Sequence, residues 1–442
     1  MSNFTIIYTL LGGLGVFFFG MKLMSDGLQA MTGELIRTII QKISSNRLLA
    51  VGAGLSVTML VQSSSITTVM TVGMVNAGLM TLMQAIGVIF GANIGTTITG
   101  WIMSADVHVY GWLFVGLGFI PGLFAKSNKW QHAGKAVMGV GLVYIGLQAL
   151  QTAFFPLKAS QAFLDSIAYF SGDTYRSYIA SVFMGCLLTM VLQSSVAMLG
   201  ITMVLASTGI ITFHTAITMV VGLNIGKTIT ALVASMGANV NARRAARAHA
   251  LFNIFGGMAV LLVLPYFFEL IEFLVPGDPS LRLEDGTQPN ITLHIAMAHT
   301  LFNVSATLIL LPFVNSLAAF VTRITPDHAP NRESPHLLML GNPQDMLPAT
   351  SLLVAESEVR KMADIVGRMY KTTKEYWAEP EVDAKKLAKI LDYERISDNI
   401  HKEVTVFLCY VMEHGLSHYQ SVQTQAMIKI ADELESVADY LE

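Results

Sequence analysis

The sequence predicts an all-α polytopic membrane protein with two inverted-topology repeats, each carrying a re-entrant serine-rich helical hairpin, followed by a soluble C-terminal helical bundle. Three observations predict this. Of 442 residues, 53% are hydrophobic and only 13% are charged, and a mean hydropathy of +0.56 is too apolar for an ordinary soluble chain. The charge is segregated: long stretches up to about residue 322 are nearly free of Lys, Arg, Asp and Glu, while the remainder is crowded with them, which implies two environments. Within the apolar part, a serine-rich motif recurs at a fixed spacing.

The first apolar run, residues 4–20, has no Lys or Arg before it and Lys22 after it. That order is the reverse of a secretory signal peptide, so the run reads as a retained span. A net charge of -3, with no basic patch outside short membrane-flanking clusters, argues against nucleic acid as a partner. Cys186 lies in an apolar run and Cys409 in the charged tail, so the two cannot bridge, and neither supports a metal site.

Self-comparison gives the repeat. Gln62-Ser63-Ser64 returns as Gln193-Ser194-Ser195, an offset of 131. The same offset carries Gly78 to Gly209, Ala85-Ile86 to Ala216-Ile217, and Gly91, Asn93, Ile94 and Gly95 to Gly222, Asn224, Ile225 and Gly226. Thr97 and Thr99 go to Thr228 and Thr230 without a gap. Upstream, Leu14-Gly15 and Gly20 match Val140-Gly141 and Gly146 at an offset of 126, which implies a five-residue insertion in the second copy.

Basic residues mark the cytoplasmic side of a span. They cluster at Arg37, Lys42 and Arg47, at Lys126, Lys129 and Lys135, at Arg243, Arg244 and Arg247, and from Arg323 onward. Residues 48–76, with Gly, Ser and Thr at the centre, read as a hairpin that starts and ends inside, each arm too short for the full bilayer. Spans follow at 79–103, 110–124 and 134–155. The second hairpin, 178–207, then enters from outside, and spans at 210–236, 248–275 and 292–322 complete the membrane part, with an acidic outer loop at 278–285. The competing reading makes both hairpins full spans. The domain division is 1–133 for the first repeat, 134–275 for the second, 276–325 for the outer loop and an additional helix, 326–349 for a linker and 350–442 for the C-terminal domain.

Irregular backbone at membrane depth is tolerated where it is buried in protein or lines a wet cavity. A short helix beginning at Ser63-Ser64-Ser65 has first N–H groups without intrahelical partners and a dipole positive at that end. Hydroxyls and N–H groups then converge on an anion, phosphate being a natural ligand for such a terminus. Thr67, Thr68 and carbonyl oxygens suit sodium, a hard cation that takes oxygen ligands. The competing reading is that small residues allow close helix packing. The segments from Gly91 to Thr97 and from Gly222 to Thr228 read as unwound helix breaks whose Asn and Thr side chains line the same cavity. Lys227 stands where the first copy has Thr96; it sits in a cation site, pairs with the anion, or snorkels to the inner interface. His249 and His299 occupy echoing Ala-His-x-Leu-Phe-Asn segments and read first as hydrogen-bonded helix-packing residues.

The paired Gln-Ser-Ser and Gly-x-Asn-Ile-Gly segments resemble those of the type II sodium/phosphate cotransporters over residues 10–320. The resemblance implies a sodium-coupled transporter of inorganic phosphate that works by alternating access in a lipid bilayer, with sodium bound and no enzymatic chemistry. It implicates Gln62, Ser63, Ser64, Ser65, Thr67, Thr68, Gln193, Ser194 and Ser195, with Asn93, Thr97, Asn224 and Thr228 as neighbours. We assign Gln62, Ser63, Ser64, Ser65, Gln193, Ser194, Ser195, Asn93, Asn224 and Lys227 to phosphate and Ser65, Thr67, Thr68, Thr97 and Thr228 to sodium. Val196 and Lys227 stand where animal members carry a Ser and a Thr, so Lys227 is expected to replace one bound cation. A phosphate-binding membrane sensor and a phosphate exporter are the alternatives.

The tail reads as three amphipathic helices at 352–377, 382–414 and 420–441, and resembles half of a PhoU-type phosphate regulator. It ends at Glu442, so the expectation is a half module or a truncated one. In that family acidic pairs such as Glu394 with Asp398, and Glu435 with Asp439, ligate a divalent metal; a solvated, ion-paired helix face is the competing reading. The expected location is the bacterial inner (plasma) membrane with the C-terminal domain cytoplasmic and available to a second copy or a regulatory partner.

Overall fold

Apolar runs punctuated by Ser, Thr and Asn caps, Gly turns and Pro breaks fold entirely as helix among the described residues of this computed structural model. Those are residues 2–41, 46–105, 110–170, 174–236, 238–284, 286–327, 348–378, 383–413, 416 and 418–442. The first repeat holds α1 (Asn3–Gln41), α2 (Arg47–Val61), α3 (Ser64–Asn76), α4 (Leu82–Gly95), α5 (Thr97–Ser104) and α6 (Gly111–Phe124). The second begins with α7 (Asn128–Phe154), α8 (Gln161–Ala168), α9 (Tyr175–Leu192), α10 (Ser195–Ser207), α11 (Phe213–Gly226) and α12 (Thr228–Ala234). Then come α13 (Val240–Leu262), α14 (Leu264–Leu274), α15 (Ile291–Leu310) and α16 (Val314–Ile324), and the tail helices α17 (Pro348–Ala378), α18 (Ala384–Met412) and α19 (His418–Leu441). Among the described residues seven stretches are long and apolar enough to cross a membrane: Phe4–Thr32, Leu82–Ser104, Asn128–Lys158, Tyr175–Leu192, Phe213–Ala234, Val240–Leu262 and Ile291–Ile324.

The inversion of the repeats can be read from α1 and α7, the two helices related by the offset of 126. They pack along their length, with Gly13 against Leu150, Gly20 against Val143 and Gly27 against Ala136, so they run antiparallel. The contact is also self-complementary. Gly20 meets Val143 while its equivalent Gly146 meets Phe17, the equivalent of Val143. A contact of that form requires a pseudo-twofold axis through the pair, and antiparallel equivalents place that axis across the helices.

Each serine-rich segment is a helical hairpin, α2–α3 and α9–α10. With 15 and 13 residues, α2 and α3 reach about 22 Å and 20 Å, short of a bilayer core. The open end of the first hairpin lies at the start of α13, where Asn239 donates from its backbone N–H and its Nδ2 to Asn76, both at 2.7 Å. The open end of the second lies at the other end of α13, where Tyr175 donates to the Leu261 carbonyl at 2.9 Å. The α13 helix has 23 residues, about 34 Å, so the two hairpins open at opposite ends of the membrane unit.

The Gly-x-Asn-Ile-Gly segments do two things, and only one matches the sequence expectation. Their glycines let α4 lie directly on α2 and α11 on α9: a Cβ on Gly91 would overlap the Val51 carbonyl, and one on Gly222 the Val182 carbonyl. They are not unwound, however. Thr96 and Lys227 keep right-handed helical dihedrals, and their N–H groups bond to Ala92 at 3.2 Å and Leu223 at 3.1 Å. Close packing from a parallel neighbour holds the helix together where small residues alone would favour a break.

Further differences concern boundaries. The first helix does not end at Gly20 but continues to Gln41, because Lys22 and Asp26 are carried within it. The expected span at 248–275 is two helices split before Pro265, and α8 was not foreseen. Arg244 and Arg247 donate to the last carbonyls of α16, Thr325 at 3.0–3.1 Å and Ile324 at 2.7 Å, which brings two basic clusters to one end of the molecule. The tail forms its own core around Met362, Ile400 and Leu408, and Leu353 of α17 packs on the cluster containing Ile36 and Ile40 of α1. Lys42, Asp285 and most of the expected linker lie outside the described residues.

Two stability predictions follow from this packing. Gly91→Ala and Gly222→Ala should each lower stability by about 1–3 kcal/mol, as overpacked cores do, measured by thermal unfolding in detergent. Glu358 of α17 is buried, and burial pushes its carboxyl above the ordinary value despite Lys361 at 3.3 Å. A raised folded value means that its stabilising contribution is full below the unfolded value and is lost as pH rises through the folded one. Glu358→Gln should therefore protect α17 at pH 7 and make little difference in acid, checked by hydrogen exchange at both pH values.

Candidate functional site

The chain reverses between α2 and α3 within two residues, Gln62 and Ser63. Gln62 adopts φ 57° and ψ 21°, and its equivalent Gln193 adopts φ 51° and ψ 22°; these are the non-glycine residues with positive φ among those described. A left-handed residue that carries a Cβ costs about 1–2 kcal/mol, so two at equivalent positions mark a turn that the surroundings enforce. Each reversal is tied back by the same bond, Gln62 N–H to the Thr58 carbonyl and Gln193 N–H to the Thr189 carbonyl, both at 2.8 Å. The next residue is extended and caps the following helix: Ser63 Oγ accepts from Ile66 N–H at 3.3 Å, and Ser194 Oγ from Ala197 N–H at 3.2 Å.

The two turns meet. Gln62, Ser63, Ser64 and Ser65 line one cavity of about 180 Å³ together with Gln193, Ser194, Ser195 and Val196. The first intrahelical bonds, Thr67 N–H to Ser63 at 3.2 Å and Met198 N–H to Ser194 at 3.1 Å, begin after these residues. The cavity is thus bounded by the first turns of α3 and α10, where N–H groups lack helical partners and both dipoles are positive. Its remaining wall is α1, through Phe17, Phe18, Met21, Lys22 and Ser25.

Sequence reasoning missed these α1 residues. Among the described residues Lys22 is the only charged one that lines the cavity, and it reinforces the positive potential. The signal was available: once the apolar helix is taken to Thr32, Lys22 is a cation inside a candidate span. Ser25 Oγ donates to the Val61 carbonyl at 2.7 Å, fixing α1 against the end of α2.

The other expected residues lie behind this wall. Asn93, Asn224, Lys227, Thr67, Thr68, Thr97 and Thr228 are all buried, and none lines the cavity. Thr67 accepts from Thr58 at 3.0 Å and donates to the Ser63 carbonyl at 3.1 Å, while Thr97 and Thr228 donate to Ile94 and Ile225, both at 2.8 Å. Thr99 reaches forward and donates to Gln62 Oε1 at 2.9 Å. Lys227 does not snorkel; its Nζ donates to Asn224 Oδ1 at 2.8 Å. His249 and His299 are buried, and no ring nitrogen of either has a hydrogen-bond partner, contrary to the expected hydrogen-bonded packing role.

In the tail, the four expected carboxylates do not gather as one set. Asp398 and Glu435 come together with His401, which the sequence reading did not include, while Glu394 and Asp439 are outside that group. His401 also meets Asp432 at 2.7 Å, and Lys402 donates to Asp398 at 2.7 Å, a pairing that raises the lysine above its ordinary value.

Comparison with known proteins agrees with this architecture. The Na+/Pi-cotransporter family profile matches residues 16–152 and 158–268, more than half of the chain, and the PhoU domain profile matches residues 359–442. The chain is 26% identical over 440 residues to the Escherichia coli (strain K12) protein named "Putative inorganic phosphate export protein YjbB", covering 98% of this chain and 76% of that one. It is 27% identical over 312 residues to the uncharacterized protein YqeW of Bacillus subtilis, covering 70% of this chain and 95% of that one. A stretch of 97 residues, 22% of this chain, is 41% identical to the human sodium-dependent phosphate transport protein 2B, covering 14% of that protein. No solved structure matches significantly.

The two glutamines should respond differently to truncation. Gln62→Ala strands the buried Thr99 hydroxyl and should cost about 1–3 kcal/mol. Gln193, exposed at its turn, should lose less than about 0.5 kcal/mol. Thermal unfolding of both variants checks this.

Proposed function

Because the chain belongs to the Na+/Pi-cotransporter family, we propose that it carries inorganic phosphate across a membrane coupled to sodium, with the cavity between the two Gln-Ser turns as the phosphate site. The family is one of transporters, two of the relatives named above are named for phosphate export or sodium-dependent phosphate transport, and this chain is a multi-pass membrane protein rather than an enzyme. The observation that carries the reading is the convergence of two helix N-termini, the five turn serines Ser63, Ser64, Ser65, Ser194 and Ser195, and Lys22 on one cavity that no acidic side chain among the described residues lines. An oxyanion is the natural occupant of such a place, and opposed half-helix N-termini are how inverted-repeat transporters hold an anion near the midplane.

In this reading Ser64 and Ser195 contact phosphate through their hydroxyls and through the first free N–H groups of α3 and α10. Lys22 supplies the countercharge. Ser65, which also lines the cavity, and Thr68, whose buried hydroxyl has no partner, are the best placed of the expected sodium ligands. The hairpins act as re-entrant gates. They open at opposite ends of α13, so loosening one admits solute from one side while the other stays closed. The division at 1–133, 134–275, 276–325, 326–349 and 350–442 belongs to this reading, with the repeat and tail boundaries moved to the helix starts at Asn128 and Pro348.

The basic clusters gathered near the end of α16 support a cytoplasmic location for that end and for the tail domain, in a bacterial inner membrane, as part of this reading. Leu353 of α17 lies against α1, where a regulatory signal from the tail, or from a partner or second copy bound to it, would reach the membrane unit. Asp398, His401 and Glu435 are a better divalent-metal set than the four carboxylates read from sequence, with Lys402 as the competing cation. One relative is named for phosphate export, which makes outward movement the second reading of direction. A symporter runs either way according to the gradients.

Radiolabelled phosphate uptake into proteoliposomes under an inward sodium gradient tests the reading against a potassium control. Wild type should show sodium-dependent uptake, and Ser64→Ala with Ser195→Ala should lose it by roughly a hundredfold, the effect of removing two contacts to a charged ligand. Phosphate binding without flux in the wild type would make the protein a receptor and overturn the transport reading.

A further inference from the structure

The two repeats treat one equivalent pair of buried positions differently. In the second, Asn224 donates its Nδ2 to the Val220 carbonyl at 2.8 Å, which turns its Oδ1 toward Lys227 Nζ at 2.8 Å and Asn303 Nδ2 at 3.3 Å. In the first, Asn93 makes the same bond, Nδ2 to the Ile89 carbonyl at 2.7 Å, so its amide is held in the same way. Its Oδ1 has no hydrogen-bond partner, although the residue is 0% exposed. The position of Lys227 is taken by Thr96, which is 2% exposed and whose Oγ1 also has no partner.

Buried acceptors without donors are expensive. When native chains contain them, an ion or an ordered water is a standard explanation. Here the other repeat supplies the discriminating observation, because it offers the same amide oxygen, in the same orientation, to a cationic side chain. We propose that Asn93 Oδ1 and Thr96 Oγ1 bind one of the transported sodium ions, at the place that Lys227 Nζ fills in the second repeat.

The site is separate from the phosphate cavity, which neither residue lines. It lies on α4 behind the first hairpin, and α4 supports α2 through Gly91 and Gly95. Binding there would stiffen the helix on which the first hairpin rests. The second repeat carries its own cation and needs none from solution, so the two gates would be unequal in their response to sodium. The inference rests on the sodium-coupled reading above and narrows it to one ion on one repeat.

The test is thermal unfolding of the purified full chain in detergent, without phosphate, titrated with sodium chloride against potassium chloride at constant ionic strength. Sodium should raise the melting temperature of the wild type by mass action. Asn93→Ala and Thr96→Val should each raise the sodium concentration for half the shift by roughly tenfold or more, the fold-change for losing one contact to a charged group. If Asn93→Ala does not fold, Thr96→Val decides. Thr96→Lys, which installs the second repeat's arrangement in the first, should remove this component of the sodium response. Wild-type sodium sensitivity in Thr96→Val, or an equal shift with potassium, overturns the site even if phosphate uptake stays sodium-dependent. Uptake indifferent to sodium overturns the coupling reading itself, whatever the melting shift.

Discussion

The whole membrane unit depends on one backbone event performed twice: a helix stops, reverses through a left-handed glutamine, and restarts on an extended serine. Each reversal leaves the first N–H groups of a new helix without intrahelical partners, and these would be unaffordable facing hydrocarbon. The rest of the fold keeps them from doing so. Helices α4 and α11 lie flat against α2 and α9 because glycines face carbonyls at the contact, and α1 closes the side through its lysine and serine. The polar turns therefore face each other across a small cavity instead of facing lipid.

The pseudo-twofold axis follows from the same requirement. A single turn would present one positive helix end to a wall of unrelated residues. Two turns brought together by antiparallel α1 and α7 present two positive ends to a common space, which concentrates potential without placing a buried charge in either hairpin. The same symmetry sends the open ends of the hairpins to opposite ends of α13. One arrangement thus accounts for both the cavity between the turns and the opposed openings of the two hairpins.

Departures from the symmetry are informative because the symmetry is otherwise close. Gly78 and Gly209 share φ values of 70° and 71°, and Gln62 and Gln193 agree within a few degrees. Against that background the exchange of Thr96 for Lys227 changes what a buried asparagine oxygen meets, and the exchange of Ser65 for Val196 makes one face of the cavity apolar. The two halves share a backbone and differ in chemistry.

The sequence alone determined that the chain is a helical membrane protein, that it is duplicated, and that its two Gln-Ser-Ser segments are equivalent. Each of these is carried by local pattern: composition, spacing, and residue types that cap helices. It also placed the three tail helices to within a few residues. It could not tell that α1 supplies a wall of the cavity, because Lys22 looked like the end of a span until the helix was seen to continue. Nor could it sort residues that line the cavity from asparagines and threonines bonded to their own helix, since that depends on which helix face is turned inward. The glycines of Gly-x-Asn-Ile-Gly were ambiguous for a related reason, because glycine breaks an isolated helix and permits close contact in a packed one. Only the tertiary structure decided between these outcomes, since long-range packing of α4 on α2 supplies the neighbour that holds the helix intact.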